Sequence, residues 1–214
     1  MKKFVLIPLL LLLSFSVISA QKKPKYNYAA QKKLLPAELG RVYLGMPLAE
    51  LSKRLDLSNA EVGDTRFDWL ELSVPFEKGD LTNLTVRIYG LSQDDKKAIL
   101  HKETIKKKDD LGEDYEIEVD RLDVGKIPGK GFVYAMYIAF KKDFDLKSRV
   151  VKTYGQPKPE DIYKEGDEYH IYDMQWTKKT SDGLVWLIRA FYGDEGGSLQ
   201  LLGRIDGTEW GLDG

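Results

Sequence analysis

The sequence predicts an α+β protein built from two helix-then-antiparallel-strand units, with the helices packed on one face of an antiparallel sheet. Three observations predict it. Apolar residues recur at helical spacing in two short stretches, Leu48 to Leu55 and Phe144 to Tyr154. Each stretch precedes runs in which apolar and polar residues alternate, the period of a half-buried strand. The runs are joined by Glu77-Lys78-Gly79-Asp80, Thr180-Ser181-Asp182-Gly183 and Gly193-Asp194-Glu195-Gly196-Gly197, which is hairpin turn chemistry.

A signal peptide is expected over residues 1–20. Met1-Lys2-Lys3 is a basic start, Phe4 to Leu13 is almost unbroken apolar sequence, and Ser19-Ala20 offers a small-residue cleavage site. The apolar run is short for a bilayer span and gives way at once to Gln21-Lys22-Lys23, so no transmembrane span is expected after processing. Residues 21–39 form a basic leader or linker with dispersed lysines, read as solvated, ending in a short helix near Ala37.

An N-terminal α+β unit is expected over 40–131. Pro47 opens a helix whose stripe is Leu48, Leu51 and Leu55. Strands follow at Asp68 to Val74 and Leu84 to Tyr89, then a charged surface helix over Ser92 to Lys108, a loop at Asp109 to Asp114, and a short strand at Tyr115 to Val119. Acidic residues flank Gly112, but the alternating oxygen-ligand spacing of a calcium hand is missing, so the loop reads as solvated. A C-terminal α+β unit is expected over 132–206. It begins with the clearest alternating strand, Phe132 to Phe140, and continues with the 144–154 helix, which Gly155 and Pro157 stop. Strands at Tyr169 to Trp176, Leu184 to Phe191 and Leu199 to Ile205 complete it, and the tail 207–214 is expected to fray.

Charge and composition narrow the function. Without Lys2 and Lys3 the 33 basic residues become 31 against 34 acidic ones, a net of −3 with no electrostatic footprint for nucleic acid. With no cysteine, the chain has no disulfide, thiolate metal site, cysteine nucleophile or lipidated N-terminal cysteine. An exported chain of this kind points to a bacterial source and to the periplasm or exterior. Asn83-Leu84-Thr85 matches a glycosylation acceptor, read as a chance match.

The pattern of Gly45-Met46-Pro47 before a leucine-striped helix, with Thr153-Tyr154-Gly155-Gln156-Pro157 closing a second helix, resembles tandem exported modules of helices laid on an antiparallel sheet. The small lipoprotein subunit of the outer-membrane barrel assembly machinery and the secreted β-lactamase inhibitor proteins are of this kind. The resemblance implies a binding protein of the cell envelope rather than an enzyme. This chain lacks the cysteine that anchors the lipoproteins and the disulfides of the inhibitors, and no family residue carries over.

For chemistry, His101 and His170 are the only imidazoles available for proton transfer. His170 stands beside Glu165, Asp167 and Glu168, where carboxylates could raise its pKa or join it at a metal. One imidazole falls short of the two or three converging ligands a site needs, so no metal and no cofactor is expected. No nucleophile elbow or phosphate-binding loop is present, and no catalytic residue is nominated. The alternative function is an envelope glycan or peptide hydrolase using spatially convergent carboxylates and His170. The stronger clue is the two-sidedness of the strands. If Leu70, Leu72, Val74, Leu84, Val86, Ile88, Tyr134, Met136, Ile138, Trp176, Trp186 and Ile188 face the helices, alternation sends Phe67, Trp69, Arg87, Tyr89, Tyr137, Tyr169, Arg189, Phe191 and Arg204 to the other face. Rings and guanidiniums are what partner-binding surfaces prefer, so this face is the candidate docking site for an envelope protein or other envelope component.

Overall fold

Alternation at period two builds most of the chain. In a computed structural model that describes residues 25–109, 111–159, 162–165, 171–193 and 196–210, the strands in chain order are β1 (Glu61–Val62), β2 (Trp69–Lys78), β3 (Leu81–Tyr89), β4 (Leu100–Lys108), β5 (Asp114–Leu122), β6 (Phe132–Phe140), β7 (Ile162–Glu165), β8 (Ile171–Lys179), β9 (Val185–Gly193) and β10 (Gly196–Arg204). The helices are few and short: α1 (Tyr28–Gln31), α2 (Leu48–Leu51), α3 (Gln93–Ile99) and α4 (Leu146–Tyr154). The protein is therefore mostly antiparallel sheet. Eight strands form one sheet in the order β1-β2-β3-β6-β10-β9-β8-β7, and β4 with β5 forms a separate ribbon.

Strand β6 occupies the middle. Its Tyr137 lies opposite Thr85 of β3 on one side and opposite Gln200 of β10 on the other, so strands from both halves of the chain share one sheet. One sheet face is packed. Leu70, Leu72, Val74, Leu84, Val86, Ile88, Met136, Ile138, Trp176, Trp186 and Ile188 are all buried, as the alternation predicts. Helix α4 lies over this face with Leu146, Val150 and Tyr154 buried. The Tyr154 ring centroid is 5.4 Å from that of Trp176, whose Nε1 donates to the Gly155 carbonyl at 3.0 Å. Asp145 starts α4 by accepting from the Ser148 amide, and Gly155, at φ 86°, ends it in a conformation that glycine adopts without strain.

Tyr134 departs from the expected pattern. Arg87 pairs with Ala135 and Ile88 with Val133, so Tyr134 is an extra residue in β6, a bulge that turns its side chain. It is fully buried, but its ring contacts Tyr89 at 6.0 Å and its hydroxyl bonds Glu209, groups on the face away from α4.

The expected 92–108 helix is half strand. Ser92 and Asp95 cap α3 reciprocally, but from Leu100 the chain is β4, paired with β5. Cross-strand charge explains the switch. Lys102 meets Asp120 at 3.1 Å, and Arg121 meets Glu103 at 2.8 Å while also donating to the carbonyls of Asn59 and Ala60, which ties the ribbon to the region of β1. In the connection, Asp109 accepts from the amides of Leu111 and Glu113. The Leu48-to-Leu55 helix contracts to Leu48–Leu51, followed by turns.

Both ends pack more than expected. Of the basic leader, residues 25–39 are described, and Gln31, Leu35 and Leu39 are buried. Gln31 exchanges hydrogen bonds with the Leu44 backbone, donating at 2.9 Å and accepting at 3.0 Å, a pairing that replaces water at a fully buried amide. Of the tail expected to fray, Thr208 is fully buried and Trp210 packs against the core. Strand β7 has no counterpart in the sequence reading. Residues 1–20, Tyr169 and His170 lie outside the described residues.

Candidate functional site

Register brings the proposed residues onto the face opposite α4. Trp69 pairs with Tyr89, Glu71 with Arg87, and Thr85 with Tyr137, which continues through Gln200 to Arg189 and Gln175 in one row across five strands. Strand spacing of about 4.8 Å puts Arg189 roughly 10 Å from Tyr137 along that row. Phe191 lies one step on, opposite Asp173 and Ser198. Trp69, Tyr137, Arg189 and Phe191 therefore share a face.

Four flat groups at one side of this face stack on one another. Phe67 lies on Trp69 with ring centroids 4.5 Å apart and planes 1° from parallel. The Arg87 guanidinium carbon sits 4.9 Å from the Trp69 centroid and 4.7 Å from that of Tyr137. Trp69 thus meets both Phe67 and Arg87, and Arg87 meets both Trp69 and Tyr137. Ring faces that the sequence suggests are open to a partner are in contact with their neighbours. The stack offers its edges, where indole N–H, guanidinium N–H and phenol O–H groups lie, and the outer face of Phe67, which is 48% exposed.

The electrostatics hold the stack in place. Arg87 Nε donates to Glu71 Oε2 at 2.7 Å, and Arg87 Nη1 stands 3.8 Å from Glu209 Oε1, which also meets the Tyr134 hydroxyl at 3.2 Å. Burial opposes the Arg87 charge, but the Glu71 hydrogen bond and nearby groups keep its pKa above the usual value. Burial likewise pushes the Tyr137 and Tyr134 hydroxyls up, with Arg87 pulling the other way, so both are neutral donors at physiological pH. Beneath Phe67, the buried Lys96 ammonium donates to the carbonyls of Thr65 and Phe67 and fixes the loop that carries this ring. Burial lowers the Lys96 pKa.

The remaining residues are distributed unevenly. Arg189 forms a two-toothed ion pair with Asp173, Nε donating to both carboxylate oxygens at 2.7 Å and Nη2 to Oδ2, and that hydrogen bonding raises the arginine pKa. Tyr89 is half-buried against Phe132 and Tyr134. Arg204 is exposed and lies away from the stack, opposite Val185 near the sheet end. Tyr169 falls outside the described residues. Glu71, Asp173, Tyr134 and Glu209 belong to the site and were not foreseen. Glu71 was findable, since it stands two residues from Trp69 in the same phase, whereas Glu209 reaches Arg87 from 122 positions away and leaves no local pattern.

A separate open cleft of about 470 Å³ lies at the sheet end, lined by glycines together with Tyr26, Pro47, Lys130, Phe132, Ile205 and Asp206. Asp206 is the one carboxylate among its lining residues. Among the described residues no cluster of three or more His, Cys, Asp or Glu is placed to hold a metal, and no helix is long and apolar enough to cross a membrane. No protein family model, curated protein or solved structure matches this chain.

Proposed function

We propose that this chain is an exported, non-enzymatic binding module of a bacterial cell envelope, which docks a protein or other envelope component on its aromatic and arginine sheet face. The observation that carries the reading is the continuous stack Phe67–Trp69–Arg87–Tyr137, sharing its face with Arg189 and Phe191. A stack locked by its own ion pair is preorganised, so binding orders few side chains and loses little entropy. Export through cleavage after Ala20 belongs to the same reading. So does the arrangement as two helix-then-strand units, α2 before β2 and β3, then α4 before β8 to β10, in the manner of the tandem exported modules that the sequence resembles.

The test is capture from bacterial envelope extract with the mature chain as bait. Trp69→Ala and Arg189→Ala should each weaken capture of the same partner by about 2 kcal/mol or more while their unfolding curves stay near the parent's. Unchanged capture by both, or loss explained by unfolding, rejects the surface. N-terminal sequencing checks export, with Gln21 as the expected first residue and an intact Met1 as the contrary result.

A further inference from the structure

The segment Ile205 to Trp210 leaves β10 and turns back so that Glu209 reaches the sheet face, 3.2 Å from the Tyr134 hydroxyl and 3.8 Å from Arg87 Nη1. We infer that this tail is an internal stand-in for the partner, and that the Arg87 site takes an acidic polypeptide segment whose carboxylate displaces Glu209. The inference rests on the proposed docking function of the face and names the chemistry of its occupant.

Three observations carry it. First, the tail already shows what fits: a carboxylate beside an aromatic residue, received by the guanidinium edge of the stack and a neutral tyrosine hydroxyl. A carboxylate accepts from both donors, which matches this pair. Second, within an otherwise packed tail the Glu209 carboxylate is held loosely. Glu71 takes Arg87 Nε at 2.7 Å, whereas Glu209 stands at 3.8 Å with its side chain 36% exposed. The next residue, Trp210, has a buried indole N–H with no acceptor among the described residues. A buried donor left without a partner is a standing cost, and it marks a seat held below its best. Third, the C-terminal half of the face carries unengaged positive charge, although Glu61, opposite Ser73 at the other edge, is exposed as well. Glu71, Asp173 and Glu209 each meet a cation or a hydroxyl. Arg204 and Lys179, which flank Val185 on the same face, are exposed and have no ion-pair partner among the described residues. An acidic chain that replaced Glu209 at Arg87 would find two further cations on that face.

The experiment uses two synthetic peptides, one copying residues 206–211 and one with glutamine in place of its glutamate, titrated into the full mature chain. The indole N–H resonances of Trp69 and Trp210 are followed by NMR. In Glu209→Gln the internal competitor is weakened, so the acidic peptide should bind about ten-fold tighter than to the parent, the worth of one charge-assisted hydrogen bond. Tyr134→Phe removes one of the two donors from the tail and the incoming peptide alike, so it should reduce the preference for the acidic over the glutamine peptide without touching Arg87. Arg87→Met should abolish the preference for the acidic over the glutamine peptide, with thermal unfolding confirming that it folds.

Equal affinity of parent and Glu209→Gln for the acidic peptide overturns the inference, as does an undiminished preference for the acidic over the glutamine peptide in Tyr134→Phe. So does a response of both indoles only to vesicles of equal parts phosphatidylglycerol and phosphatidylcholine, which would make the face a lipid surface. If the peptide results fail while Trp69→Ala and Arg189→Ala still lose the envelope partner, the acidic occupant falls and the docking function stands. If the peptide results hold and envelope capture is untouched by those variants, the Arg87 site takes acidic chains and the wider docking reading falls.

Discussion

At Trp186 and Trp176 a two-residue period in the sequence was enough to place a side chain. Both indoles are buried, at 0% and 5% exposure, because each is in phase with apolar neighbours two positions away. Trp186→Ala should cost about 3 to 5 kcal/mol in urea unfolding, and a loss under about 1 kcal/mol would mean that the ring is not packed. At Arg87 the same period located the residue but not its surroundings. The guanidinium carbon lies 4.9 and 4.7 Å from two ring centroids, so Arg87→Lys, which keeps the charge and loses the plane, should reduce stability by roughly 1 kcal/mol and change the near-UV circular dichroism of Trp69. Alternation reports which face a residue takes. Whether rings on that face lie open or stack on each other depends on the register between β2, β3 and β6, and no one strand contains that information. At Tyr134 a single bulge reverses the face that strand phase assigns to the side chain.

At the scale of elements, sequence periodicity located α4 and most of the long strands but misassigned the segment from Leu100 to Lys108. Four lysines, one glutamate and few apolar residues there suit an exposed helix as well as a ribbon, and the choice falls to partners on β5 some 18 residues away, as with Arg121 and Glu103. The ribbon's exposed strand edges carry lysines, which discourage pairing with other chains. Its amides should exchange with solvent faster than those of β6, which hydrogen exchange measures directly. The link between the N-terminal segment and α4 has its own pH dependence. Arg149 donates to both oxygens of Glu38, at 2.8 and 2.5 Å, and this hydrogen bonding holds the Glu38 carboxyl below its ordinary value of 4.5. A depressed carboxyl stabilises the fold above its unfolded pKa, and the benefit is lost as pH falls through the folded value. Stability should therefore drop by about 1 kcal/mol more on acidification from pH 5 to 3 in the parent than in Glu38→Gln.

For the molecule as a whole, β6 makes the two halves interdependent. The sequence leads one to expect a helix-and-strands theme twice, yet it could not say whether the later strands continue the first sheet, because strand-to-strand pairing between distant segments has no local mark. The pairing of β6 with β3 on one side and β10 on the other answers that question. A fragment of residues 132–214 loses β3 along one whole edge of β6 and exposes Val133, Met136 and Ile138. It should show neither native near-UV dichroism nor a cooperative unfolding transition, while the intact chain unfolds in one step.

The central place of β6 also sets the order of events as the chain folds. Its two neighbours become available at very different times, since β3 precedes it and β10 follows some 60 residues later, after α4 and three further strands. Until β10 arrives, a nine-residue strand containing six buried positions is open along one edge. Closing that gap is a long-range search, so refolding should run on the slow side for a chain of this size, in milliseconds to seconds, and should become less efficient as protein concentration rises. The middle of this sheet is the last part to be completed, and the time spent waiting for β10 is when the chain is most exposed to aggregation.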